Sequence, residues 1–256
     1  MSSDPGLVRV AVIGAGLAGA ACAAGLHRCG SHVTVFEKSM VVGGRLAARR
    51  VGWVDADGGE QSGIFDCGAH GFAPVRPRFK AAMARAMLAG CVSEWNPRVH
   101  TPWSAMGGPR VLASSRPLTL CDHLLADATV HVDCNVRRLQ RDVDGRWYVA
   151  ADGWPLAGPF DQVAVTIPPA QAALLVAGHQ DTWADALMAR RMDACKTLMA
   201  VTDDVDWPWD AAEPQRGSLA VLRNDRLPGR SAPAGLAVWV AHATAKWSQS
   251  VEAAVP

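Results

Sequence analysis

An α/β fold is predicted, on three observations. Residues 7–13 form a β-branched run of the kind buried on both faces of a parallel sheet. A glycine turn follows, and then an Ala-rich stretch over 17–29 with the composition of a helix. Residues 32–36, HVTVF, are a second β-rich run, and Glu37 stands at its end. Strand, helix and strand within about thirty residues make a βαβ unit, the building block of a Rossmann-type sheet.

The remaining elements continue in the same style. Residues 38–75 are Gly-rich and read as irregular, and 78–88 (RFKAAMARAML) read as a helix. Residues 95–117 carry four prolines and two tryptophans and read as a loop-rich insert. A short helix is expected over 118–126, then strands over 129–132, 136–141, 147–151 and 162–166. The last of these runs into Pro168-Pro169. Helical patterns occupy 170–177 and 182–191, and late strands are expected at 198–202, 218–222 and 236–241. A final helix is expected to begin at Thr244. No internal repeat or low-complexity tract is visible.

Composition narrows the function classes. A chain of 256 residues makes one large domain or two smaller ones. Half of the residues are hydrophobic and 19% are charged, which excludes a disordered chain. Lys and Arg number 25 against 24 Asp and Glu, so the basic excess of a nucleic-acid binder is missing and no nucleic-acid partner is expected. The seven cysteines (Cys22, Cys29, Cys67, Cys91, Cys121, Cys134, Cys195) are odd in number and include no C-x-x-C pair. That argues against a disulfide framework and a zinc ribbon, and for reduced thiols in a cytoplasmic protein. Residues 10–26 are apolar enough to look like a signal or membrane segment. Four patterned glycines, and a length short of the ~20 residues of a span, favour a strand-turn-helix instead, and no membrane partner is expected. No H-E-x-x-H, G-x-S-x-G or P-loop sequence occurs, which leaves zinc protease, serine hydrolase and NTPase readings without support.

Gly14-Ala15-Gly16-Leu17-Ala18-Gly19 is a G-x-G-x-x-G sequence. Its first glycine makes the tight turn, its second lets the backbone approach a pyrophosphate, and its third lets helix and strand pack closely. The N-terminus of the helix that follows offers free N–H groups and a positive dipole end to phosphates. The hexapeptide follows a strand, opens a helix and lies about 20 residues before Glu37, the spacing of a dinucleotide fingerprint. The plainer alternative is a packing turn. Glu37 is placed to accept hydrogen bonds from ribose hydroxyls and to repel a 2′-phosphate, so FAD or NAD is expected rather than NADP. Lys38 beside it is either a further cofactor contact or a solvated lysine. Gly43-Gly44-Arg45 adds a second close approach and a guanidinium suited to a pyrophosphate, which moves the expectation from NAD to FAD.

Two further segments carry alternatives. In Asp66-Cys67-Gly68-Ala69-His70-Gly71-Phe72 the small residues would let the backbone pass a flat ring, and His70 faces either a flavin or substrate, or is a structural histidine. Trp239-Val240-Ala241-His242-Ala243-Thr244, with Trp247-Ser248, either lines a pocket or is a core strand leading into a helix capped by Thr244.

In this order VAVIGAGLAGAACAAGL, VTVFEKS, GGRLAARR and FDCGAHGFA resemble the amine-oxidase-like flavoproteins, and more narrowly the bacterial renalase-type proteins. VSEWNP at 92–97, VAVTIPPAQA at 163–172 and WVAHATAKWS at 239–248 extend the resemblance over nearly the whole chain. It implies a Rossmann-type FAD-binding domain built from separated stretches, with an inserted α+β substrate domain. On this chain those would be 1–75 with 110–170, and 76–109 with 171–256. It implies FAD held by Gly14, Ala15, Gly16, Ala18, Gly19, Glu37, Lys38, Gly44 and Arg45, with Ala69 and His70 by the isoalloxazine and Val136 by the adenine. The implied activity is oxidation of non-standard isomers of reduced NAD(P), with electrons passed to oxygen and hydrogen peroxide released. No single catalytic acid or base stands out.

Three departures from the family pattern bear on this. Ala69-His70-Gly71-Phe72 stands where the family reads Ala-Gln-Tyr-aromatic, which opens substrate identity. The stretch 98–120 is shorter than in the family and lacks its pattern. Family members continue past the WVAHATAKWS segment with a Gly-Asp pair and a helix aimed at the flavin, and that C-terminal FAD segment is expected to be lacking here. Three functions follow as expectations. The first is a renalase-like oxidoreductase on a reduced nicotinamide nucleotide. The second is a flavin amine oxidase on a small amine, and the third a truncated, inactive relative.

Overall fold

The computed structural model of the chain describes residues 6–46, 48–55, 57–69, 71–100, 111–114, 119–212 and 219–252. β1 (Arg9–Ile13), α1 (Leu17–Arg28) and β2 (His32–Phe36) come first. They are followed by β3 (Arg49–Val54), β4 (Glu60–Phe65), α2 (Pro77–Leu88), β5 (Val92–Trp95) and β6 (Val111–Ser114). Next come α3 (Thr119–Leu124), β7 (Thr129–His131), β8 (Val136–Arg141), β9 (Trp147–Ala151), β10 (Ala157–Phe160) and β11 (Gln162–Val165). Helices α4 (Pro169–Val176) and α5 (Asp181–Met188) precede β12 (Thr197–Asp203) and β13 (Ala211–Ala212). β14 (Leu219–Arg223), β15 (Leu236–Ala243) and α6 (Ala245–Glu252) complete the described chain.

The chain forms two compact units, 1–45 with 121–192 and 46–120 with 193–256. These divide the chain differently from the expected 1–75 with 110–170 and 76–109 with 171–256. The β3–β4 hairpin goes with the second unit because Phe65 lies in the same apolar core as Leu222, Val238 and Val240. Helix α4 goes with the first because Leu175 packs beside Leu139 and Val149.

The first unit is built on a parallel sheet of order β11-β1-β2-β7. Val10, Ala11, Val12 and Ile13 are all buried, as a central strand covered on both faces requires. Helix α1 packs on β1 and β2 through small residues, with Gly19, Ala20 and Ala23 buried. It stops at Cys29, where the Gly30 N–H donates to His27 C=O (2.8 Å) and the Ser31 N–H to Leu26 C=O (3.1 Å), a Schellman closure. A three-stranded antiparallel sheet, β10-β9-β8, lies between β7 and β11 in sequence. Ile13, Phe36, Leu139, Val149, Phe160 and Leu175 share one core.

The second unit holds an antiparallel sheet of order β12-β15-β14-β13, the β3–β4 hairpin and the β5–β6 pair. Phe65, Trp95, Leu222, Leu227, Val238 and Val240 form its core, with Trp53 and Met199 packed against them.

Two regions expected to be irregular contain strands among the described residues. Within 38–75 the β3–β4 hairpin is hidden because Gly52 and Gly63 dilute its alternating pattern. Its turn is organised by Asp55, whose Oδ1 accepts from the Asp57 and Gly59 N–H groups (3.1 and 2.7 Å) and whose Oδ2 accepts from Gln61 Nε2 (3.0 Å). The Gln61 bond, with help from Gly59, holds the Asp55 carboxyl below its ordinary range. Within the expected insert at 95–117, Trp95 pairs with Val111 at one end of β5–β6. Among the described residues no helix is long and apolar enough to cross a membrane, and no cluster of three His, Cys, Asp or Glu side chains is placed to hold a metal.

Candidate dinucleotide site

The strand order of the parallel sheet reverses at β1. Strand β1 lies between β2 on one side and β11 on the other, and in such sheets ligands bind outside the carboxyl ends of the strands at this point. The Gly14–Gly19 turn sits at that end of β1. Gly14 has φ +98°, open to glycine alone at low cost, and its N–H donates to Phe36 C=O (2.8 Å). A Cβ on Gly19 would fall 1.9 Å from the Gly14 carbonyl oxygen and 2.7 Å from Thr166 Oγ1. The third glycine of the fingerprint is therefore a steric requirement of the helix-strand contact.

Helix α1 begins at Gly16 with no side-chain cap and no acidic residue in its first turn. Its first N–H groups have no partner further back in the helix, and its dipole end is positive. Both features suit an anion. The second glycine pair completes the cradle. Gly16 and Gly43 form a β-bridge, the Gly43 N–H donates to Ala15 C=O (2.9 Å), and a Cβ on Gly44 would stand 3.2 Å from Gly16 Cα.

Glu37 follows β2 and is 6% exposed. Its Oε2 accepts from the Ala15 N–H and its Oε1 from the Ser39 N–H, both at 2.8 Å. The carboxylate thus ties the glycine turn to the end of β2, and each oxygen keeps a lone pair beyond the one used. Ala15 is buried, Ala18 is exposed on the first turn of α1, and Lys38 and Arg45 are exposed. No ion pair engages Lys38 or Arg45 among the described residues. Val136 opens β8, half-buried and packed against the core of the first unit. Ala69 lies after β4 in the second unit and is exposed, and His70 lies outside the described residues.

Sequence reading passed over Thr166. Its Oγ1 lies 2.8 Å from Ile13 C=O and 3.0 Å from Gly14 C=O, so one hydroxyl pins the glycine turn to β11. The only signal was a threonine ending QVAVT before two prolines. Replacing Thr166 by valine keeps the shape and removes the donor. A loss of about 1 kcal/mol is expected, or a melting point lower by about 2–4 °C. Thermal unfolding of T166V against wild type checks it.

In the second unit the 239–248 segment is a core strand leading into a capped helix. Trp239 is 9% exposed, its Nε1–H donates to Thr202 Oγ1 (3.0 Å), and it packs edge-to-face on Trp207 and Trp209. The Trp247 N–H donates to Thr244 Oγ1 at 3.4 Å, a long capping bond. His242 has its pKa lowered by burial, against the opposing effect of a hydrogen bond to the Cys67 backbone. A histidine with a depressed folded pKa binds its proton more readily when unfolded. Its stabilising contribution is complete above the unfolded value near 6.5 and is lost as pH falls toward the folded one. Between pH 7.5 and 5 the melting temperature of wild type should fall more steeply than that of H242Q, so that the difference between them changes in favour of H242Q.

Residues 12–86 match the family of NAD(P)-binding Rossmann-like domains. Solved structures share the fold over almost the whole chain. A protein provisionally named a protoporphyrinogen oxidase, from an Exiguobacterium species, is 13% identical with a TM-score of 0.63, over 95% of this chain and 77% of its own. An oxidoreductase from Methanosarcina mazei is 14% identical with a TM-score of 0.59, over 96% of this chain and 82% of its own. A putrescine oxidase variant from a redesign of cofactor binding is 11% identical with a TM-score of 0.66, over 96% and 78%. The chain therefore contains a Rossmann-like domain and shares its overall fold with these proteins.

Proposed function

We propose that the chain is an FAD-dependent oxidoreductase acting on a reduced NAD(P)-like substrate, with oxygen as the final acceptor. The observation that carries the reading is the cradle: a Cβ on Gly14 or Gly19 would collide with its neighbours, Gly44 holds φ +53° close to Gly16, and Glu37 is buried beside them with lone pairs to spare. The residues present fit a dinucleotide. Backbone N–H groups at the start of α1 would hold the pyrophosphate, with Arg45 as a counter-charge, and Glu37 would accept from the adenosine ribose and exclude a 2′-phosphate. Ala15 and Ala18 border that contact, Lys38 lies beside Glu37, and Val136 would stand by the adenine. When bound, FAD supplies hydride acceptance and reoxidation by dioxygen, with hydrogen peroxide as the product. We assign the first unit to this cofactor, with a small molecule as the partner and neither nucleic acid nor membrane. The bacterial renalase-type resemblance supports the nicotinamide substrate, and the free cysteines support a cytoplasmic setting.

The fold likeness to putrescine oxidase favours a second reading, oxidation of a small amine, which needs the same cofactor contacts. Anaerobic mixing of the flavin-loaded protein with each substrate class separates the two. Bleaching of the flavin absorption by reduced nicotinamide nucleotides, including their non-standard isomers, and not by small amines is the expected result. Bleaching by amines alone replaces it with the second reading, and bleaching by neither marks an inactive relative.

A further inference from the structure

We propose that Trp154 is the stacking wall for the adenine ring of the bound dinucleotide, a role that rests on the dinucleotide reading above. In the turn between β9 and β10, Trp154 is an exposed tryptophan that is nevertheless held in place. It is 40% exposed, yet its Nε1–H donates to Asp133 C=O at 3.0 Å. Its ring also meets His131 edge-on, with centroids 5.1 Å apart, and His131 packs in turn on Phe36 at 5.5 Å. An aromatic ladder thus runs from the end of β2 to the β9–β10 turn.

The ladder stands on the adenine side of the site. The Asp133–Asn135 connection follows β7 at the carboxyl edge of the parallel sheet and is bonded to the segment that holds Glu37. The Asp133 N–H donates to Ser39 C=O (3.0 Å), and the Cys134 N–H to Glu37 C=O (2.8 Å). Asp133 holds φ +51°, an uncommon conformation for a residue other than glycine. With the pyrophosphate at α1 and the ribose at Glu37, the base extends away from β1 and toward β7, the strand beside β2. That direction leads to the connection to which Trp154 is bonded. A fixed, part-exposed indole is what a purine stacks on, and such stacking is insensitive to the polar edge of the base.

Calorimetric titration of the flavin-free protein with FAD, ADP and FMN tests the assignment. In W154A the affinities for FAD and ADP should fall by the same factor, about tenfold. Affinity for FMN, which has no adenine, should be unchanged. W154L keeps apolar bulk without a π-face and should show the same loss, while W154F should restore most of the affinity. Wild-type binding of FAD and ADP with no loss in W154A or W154L overturns the role of Trp154 alone. An equal loss for FMN overturns it too, by showing a structural effect. Wild-type protein that binds neither FAD nor ADP overturns the dinucleotide reading and this assignment with it.

Discussion

Replacing Gly19 by alanine should destabilise the first unit by about 3 kcal/mol or more and abolish dinucleotide uptake. The new Cβ would lie 1.9 Å from the Gly14 carbonyl oxygen, a backbone atom that cannot swing aside like a side chain. Relief requires α1 to lift from β1 or the Gly14 turn to open. Either movement breaks the Thr166 contacts to Ile13 and Gly14 and shifts the helix N-terminus away from where the pyrophosphate would lie. A melting point lower by at least about 6 °C is expected. Gly25→Ala is the control on the same helix. The nearest atom to a Cβ there is Arg28 Nη2 at 4.0 Å, so G25A should be neutral or stabilising by about 0.5–1 kcal/mol. Equal melting points for G19A and wild type would remove the steric argument.

Replacing Arg230 by methionine should cost about 3–5 kcal/mol in the second unit. Arg230 and Asp66 form a bidentate pair, with Nε and Nη2 each donating at 2.8 Å, and the side chains are 2% and 10% exposed. The Asp66 N–H is in turn held by Asn224 Oδ1 (2.9 Å), and Asn224 Nδ2 donates to Ile64 C=O (2.7 Å). Removing the guanidinium leaves a carboxylate out of water without its partner. The double variant D66L/R230M, in which both charges are gone, should recover most of the loss. Urea unfolding of the two single variants and the double gives the coupling directly, and additive losses would contradict the pairwise account.

The parts of this molecule that were legible from the residues are the local ones. β2 falls on 32–36 as expected because a β-branched run between a helix end and a carboxylate admits one reading. The glycine turn was legible because its G-x-G-x-x-G spacing follows a strand directly, and in the folded chain Gly14 holds φ +98° and Gly19 has no space for a Cβ. The β3–β4 hairpin was not, since its order comes from Asp55 and from packing of Trp53 and Phe65 on a core completed by residues far along the chain. Thr166 lies 152 residues from Gly14, and Trp154 acts through Asp133 and His131 across the β7–β9 region. Contacts of that range leave no periodic trace, so they become visible only when the chain is folded.

The central claim, a dinucleotide cradle that takes FAD, is tested most directly by the flavin content of the purified chain after incubation with excess FAD and removal of the free cofactor. One FAD per chain, with the visible absorption of a bound flavin and loss of uptake in G19A, is the predicted result. A cooperatively melting protein that retains no flavin would contradict it.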